Sequence, residues 1–184
     1  MKGILSGFDI EKYKNIKPPR DNSLTTLKEL KEINGMRKDP SFVKDKDNQE
    51  SAFKKITEAK GLPFPKQLVK ALINESAPKI LKLKNHFKRP RPKHLASSFG
   101  MKLDDIEMDS MKTPSYPSGH SVQGVLIGKA LGRLYPQHKA EFEKEGKDIS
   151  MSRRVGRAHF KSDSDLGEKI GNDMFDHVKD RING

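Results

Sequence analysis

Nowhere in these 184 residues does an apolar–polar alternation persist long enough to make a β-strand, whereas apolar residues recur at the three- and four-residue spacing of a helix face. Leu24, Leu27, Leu30 and Ile33 define one such face over 23–35, with Ser23 placed to cap the helix and Gly35 to stop it. A helix over 48–59 follows. The next spans 65–88, with Leu68, Leu72, Ile80, Leu81 and Leu83 as buried candidates, and Pro78 calls for a kink or for two shorter helices. Val122, Val125, Leu126, Ala130 and Leu134 mark a face over 118–134, and two further helices are expected over 137–161 and 163–181. Residues 36–50 read as a charged loop, and 93–116 as a long connection with at most one short helical turn. The expected fold is all-α: a single-domain helical bundle over 23–184, preceded by an irregular arm over 1–22 that ends at Pro18-Pro19.

Charge narrows the ligands. Lys and Arg outnumber Asp and Glu by 37 to 25, a net charge of +12, which favours anionic partners such as phosphoesters, nucleotides, nucleic acid or acidic lipid surfaces. For most individual lysines the plainer reading, a solvated surface, is preferred. Cysteine is absent, so disulfides, cysteine metal sites and thiol catalysis are excluded. The first twenty residues lack the apolar core of a secretory signal, and no apolar run approaches a bilayer span. A non-exported, cytoplasmic protein without a membrane span is the expectation.

Three short segments carry chemistry. Lys84 and Arg91-Pro92 form K-x6-R-P, a spacing that puts both cations on one side if a helix carries them; Lys82 with Arg89-Pro90 fits the same pattern, so alone it says little. Pro117-Ser118-Gly119-His120 combines a turn, a helix cap, a small residue for close backbone approach and a histidine at the helix start, where free N–H groups bind anions. An ordinary capped helix with a surface histidine fits those four residues equally well. Ser152-Arg153, His159 and Asp163 are the most specific: Asp163 lies four positions after His159, so on a helix the carboxylate holds one ring nitrogen and leaves the other as a nucleophile. An exposed helical pair of this kind is otherwise nearly neutral. The order and spacing of all three segments weigh against coincidence.

Taken together, the segments resemble the type 2 phosphatidic acid phosphatase (PAP2) superfamily, and most closely its soluble bacterial class A non-specific acid phosphatases. The resemblance is strong over 65–175, weaker over 23–60 and absent from the first twenty residues. It implies an all-α phosphatase that hydrolyses phosphomonoesters through a phosphohistidine. His159 would be the nucleophile, oriented by Asp163, and His120 the general acid and base. Lys84, Arg91, Ser118, Gly119 and Arg153 would hold the phosphoryl oxygens. It implies no cofactor and no metal. Many members have glycine two residues before the nucleophile, where this chain has Arg157, expected to point to solvent. His86, His94, His138 and His177 are read as surface residues, and Tyr116 as a packing residue or a pocket wall.

Substrates compatible with this reading are phosphorylated small molecules, including nucleotides or nucleic-acid ends, and a homodimer fits as well. Two alternatives stand beside it: a vanadate-dependent haloperoxidase on the same scaffold, and a basic nucleic-acid-binding protein without turnover.

Overall fold

Among the described residues eight α-helices form, six near the expected places and two in segments that read as loops. The computed structural model describes residues 2–183 and orders them as α1 (Leu24–Asn34), α2 (Pro40–Lys46), α3 (Gln49–Ala59), α4 (Lys66–Phe87), α5 (Pro92–Ser98), α6 (Gly119–Leu134), α7 (Lys139–Val155) and α8 (Lys161–Val178). Single 3-10 turns lie at Glu11–Asn15, Asp109–Lys112, Pro136–His138 and Lys179–Arg181. Among the described residues there is no β-strand, and the all-α expectation holds.

Local chemistry accounts for the bounds. Ser23 Oγ accepts the Thr26 N–H at the start of α1, and Gly35 follows its last turn. In the segment expected as a charged loop, the Asp39 carboxylate accepts the Phe42 N–H and Pro40 supplies the first helical position of α2. That helix buries only Val43, too little for an apolar period to register. The expected long connection likewise contains α5, opened by Pro92 and burying Leu95 and Ala96. α4 runs through Pro78 as one 22-residue helix with the proline on its exposed side. Two of the expected core positions fail: Leu24 is 84% exposed and Leu81 is 43% exposed.

α6 is the centre of the bundle, buried on almost every side between α7, α8 and α4. Glycines let the backbones touch. A Cβ on Gly128 would lie 2.6 Å from the Phe142 carbonyl oxygen of α7, and one on Gly171 of α8 would lie 2.6 Å from that of Val122. The main core draws in residues of the first segment too: Leu5, Phe8, Ile10 and Tyr13 pack with Phe53, Leu72, Leu126 and Ile170. Glu75 of α4 accepts the N–H groups of Ile4 and Leu5, and Tyr13 Oη donates to Asp173 of α8 at 2.6 Å. The segment 2–22 has no α-helix, yet it is seated on the bundle. A second, smaller core of Leu30, Ile33, Leu95, Ala96, Leu103 and Phe160 lies beside the helix ends where the three motifs meet.

Candidate active site

The first motif is assembled across a helix end, not along a helix. α4 stops at Phe87, and Lys88 reverses the chain with φ of 53°, a left-handed conformation that costs a non-glycine residue about 1–2 kcal/mol. The turn sends both Arg89 and Arg91 inward, where they are 1% and 4% exposed. Lys84, near the end of α4, is also buried, and its Nζ donates to the Pro114 carbonyl at 2.8 Å. Burial pushes the Lys84 ammonium down to about 7, with Arg91 adding to the effect and Asp163 opposing it. Burial likewise lowers Arg91 to about 10.

The second motif forms as expected. Ser118 caps α6, its Oγ accepting the Ser121 N–H at 3.2 Å, and its own N–H donates to the Asp163 carbonyl at 3.0 Å. The Tyr116–Pro117 peptide ahead of it is cis. Gly119 and His120 open the helix, so their N–H groups have no intrahelical acceptor, the arrangement that makes a helix start attractive to anions. A Cβ on Gly119 would meet only Ile80 and the Lys84 side chain, at 3.5 and 4.0 Å, so packing alone does not demand glycine there. His120 Nε2 lies 2.6 Å from the Asp47 carbonyl oxygen, at the end of α2. Burial and the Arg153 charge push the His120 imidazole down to about 4, against the pull of Asp47.

The third motif departs from the helical picture while keeping its contact. α7 ends at Val155, so His159 lies in the turn before α8, and Asp163 is the third residue of α8. The carboxylate reaches back to four groups. It accepts the Phe160 N–H at 2.9 Å, Arg89 Nη1 at 2.7 Å, the Ser115 hydroxyl, and His159 Nδ1 at 3.1 Å. Arg91 Nη1 lies 2.9 Å from the other ring nitrogen, Nε2, and 2.9 Å from the Ala158 carbonyl. A guanidinium only donates, so Nε2 presents its lone pair and Nδ1 carries the proton that Asp163 holds. Burial is the first cause that pushes the imidazole well below its usual value, and Arg91, Lys84, His120 and Arg153 reinforce it. The ring is neutral, fully formed as a base, and surrounded by cations.

Ser152 and Arg153 sit on the last turns of α7, not on the helix of Asp163. Ser152 Oγ accepts Arg153 Nε at 3.0 Å and so orients the guanidinium, which is fully buried and also donates to Asp47 at 3.0 Å. Arg157 corrects the expectation of a solvent-facing side chain. It is 3% exposed, with φ of 58°, and its guanidinium donates to the carbonyls of Asn34, Met36 and Val155. The left-handed backbone is the physical reason that glycine suits this position; here the arginine ties the end of α1 to the turn that carries His159. Tyr116 is a packing residue, buried with its hydroxyl donating to the Ile16 carbonyl. His86 and His94 are exposed, and His177 meets the Phe8 ring and the Ser6 carbonyl.

Several site residues escape the motif reading. Arg89 stacks on Phe160 with its Cζ 3.9 Å from the ring centroid and pairs with Asp163, while Glu29 of α1 binds the Ser162 N–H and hydroxyl beside them. The signal for Arg89 was present as the second K-x6-R-P register, Lys82 with Arg89-Pro90. Nothing in the sequence singled out Asp47 or Ser115. A cavity of about 600 Å³ opens beside Arg91, lined among others by Asp47, Lys93, His94, Glu107, Met108 and Lys112. No helix among the described residues is long and apolar enough to cross a membrane.

The chain is 33% identical over 88 residues to a non-specific acid phosphatase of Salmonella typhimurium, a stretch covering 48% of this chain and 35% of that protein. Over that stretch the chain is similar to an acid phosphatase. A non-specific acid phosphatase of Salmonella typhi matches at 32% over the same length, and an acid phosphatase of Zymomonas mobilis at 30% over 106 residues, 58% of this chain and 40% of that one. The matched stretch thus spans well under half the length of these acid phosphatases. No family model matches.

Proposed function

We propose that this chain hydrolyses phosphomonoesters through a phosphohistidine formed at His159 Nε2, without a metal. What supports the reading is the pair of contacts on the His159 ring: Nδ1 lies 3.1 Å from the Asp163 carboxylate and Nε2 lies 2.9 Å from Arg91 Nη1, which suits an Nδ1–H tautomer with the Nε2 lone pair on the side of the buried cations. Lys84, Arg91 and Arg153, with the N–H groups of Gly119 and His120, bind the phosphoryl oxygens and neutralise charge in the transition state. A phosphoryl oxygen is a better acceptor for Arg91 than a neutral imidazole, so substrate draws the guanidinium off Nε2 and frees the nucleophile.

In the first step Nε2 forms a bond to phosphorus as the ester oxygen leaves with its electron pair, taking a proton from His120. In the second, neutral His120 removes a proton from water, the new P–O bond forms, and the P–N bond breaks to restore the imidazole. His120 is neutral in the empty site, pushed to about 4, so the negative charge of the substrate is what brings its proton in. Phosphorylated small molecules, among them nucleotides, fit this chemistry.

The test uses a chromogenic aryl phosphate in the presence of EDTA. Wild type turns over, is inhibited by vanadate, and yields an acid-labile, base-stable phosphoprotein on rapid quenching. His159→Ala loses turnover by roughly 10⁴-fold or more, the scale seen when a nucleophile is removed. Wild-type turnover in that variant would falsify the mechanism.

A further inference from the structure

Resting on the phosphatase reading, we propose that Asp47 is an internal competitor for the phosphoryl site, a built-in anion that weakens the hold on substrate and on product phosphate. Asp47 closes α2, lines the cavity and touches a residue of α6 and one of α7. Its Oδ1 lies 3.0 Å from Arg153 Nη1 and 3.8 Å from His120 Nε2, and its backbone carbonyl lies 2.6 Å from that same nitrogen. One residue therefore engages two groups assigned to the phosphoryl oxygens and to the leaving group.

The two ends of the Arg153 pair are unequal. The guanidinium is wholly buried, whereas the Asp47 side chain is 52% exposed and lines the open cavity. Arg153 is already oriented without the carboxylate: Ser152 Oγ accepts its Nε at 3.0 Å and the Val43 carbonyl accepts Nη2 at 3.3 Å. What Asp47 adds is negative charge where a phosphoryl oxygen has to sit. A dianion entering the site shares Arg153 with a like charge, or displaces it into solvent, and both lower its affinity. The benefit is release. A cluster of three buried cations and a helix start would otherwise retain inorganic phosphate, and product loss sets turnover in many enzymes.

Binding of inorganic phosphate is measured by titration calorimetry in non-phosphate buffer at fixed ionic strength, for wild type, Asp47→Asn, Asp47→Ser and Arg153→Ala. Both Asp47 variants are expected to bind phosphate about tenfold more tightly, an ordinary size for coupling between adjacent charges. The inhibition constant of phosphate and the KM for an aryl phosphate fall by the same factor, and kcat does not rise. If Asp47 instead serves to fix Arg153, both variants bind phosphate more weakly; that result, or unchanged affinity, overturns the proposal while leaving the phosphatase reading intact. If Arg153→Ala binds phosphate as well as wild type, Arg153 does not hold the anion and the proposal falls, while the phosphatase reading is decided by His159→Ala.

Discussion

Lys84 is a cation held away from water, and replacing it with methionine should stabilise the molecule. The side chain is 6% exposed, and its ammonium sits at about 7 where 10.5 is usual, because burial and Arg91 outweigh Asp163. At 1.36 kcal/mol per pH unit, that drop corresponds to roughly 5 kcal/mol of destabilisation wherever the group is charged in both folded and unfolded chains. This condition holds below about pH 7. From about 7 to 10.5 the folded chain has shed the proton while the unfolded one keeps it, so wild-type stability rises with pH across that window. Lys84→Met removes the buried charge but leaves the Pro114 carbonyl without its donor, a loss of about 1–3 kcal/mol. The net gain at pH 6 is about 2–4 kcal/mol, or on the order of 5–10 °C in melting temperature for a chain of this size. Urea unfolding in non-phosphate buffer at pH 6 and pH 9 reads it directly. The variant should gain most at pH 6, lose the pH slope, and lose most of the stabilisation that added phosphate gives wild type. A Lys84→Met protein less stable than wild type at pH 6 refutes the reasoning.

Three more outcomes follow from the same geometry. Arg157→Ala loses its carbonyl contacts and keeps the strained backbone, so it should unfold about 2–3 kcal/mol more easily, while Arg157→Gly relieves φ of 58° and recovers about 1 kcal/mol of that in chemical denaturation. His120, depressed to about 4, contributes stability that is complete above 6.5 and lost as pH falls through 4. On acidification over that window wild type should therefore lose up to about 3 kcal/mol more than His120→Asn, followed by circular dichroism. Gly128→Ala drives a methyl to 2.6 Å from the Phe142 carbonyl, and the overpacking should cost about 1–3 kcal/mol or more; a variant as stable as wild type contradicts the close approach of α6 and α7.

The helix periods were legible because α1, α3, α4 and α6 each bury a repeated apolar face. α2 and α5 were not, since seven-residue helices burying one to three residues leave too short a record. The motif residues Lys84, Arg91, His120, Arg153, His159 and Asp163 were all visible as types and spacings, but the geometry that unites them was not. The Lys84–Arg91 and His159–Asp163 spacings suggested single helices, whereas both pairs straddle a helix terminus. At Lys88 and Arg157 the left-handed residue is not itself a glycine, so neighbouring Pro90 and Gly156 mark a helix end without marking which position takes positive φ. Asp47 was beyond reach for a different reason: its role depends on a contact made across the fold, with Arg153 more than a hundred positions away.

The glycine contacts around α6 divide the site into halves of different stiffness. Ser118 and His120 open α6, Asp163 opens α8, and the two helices meet backbone to backbone, so neither can slide without collision. The facing wall comes from the end of α2 and from residues 105–112, where the buried side chains are few. On the proposed function, substitutions in that second half reshape which leaving groups enter while His159 and the cations beside it keep their positions. On that reading new substrate ranges are reached by changing the wall, whereas a change of similar size along the α6 seam breaks the backbone contacts that hold the helix starts together.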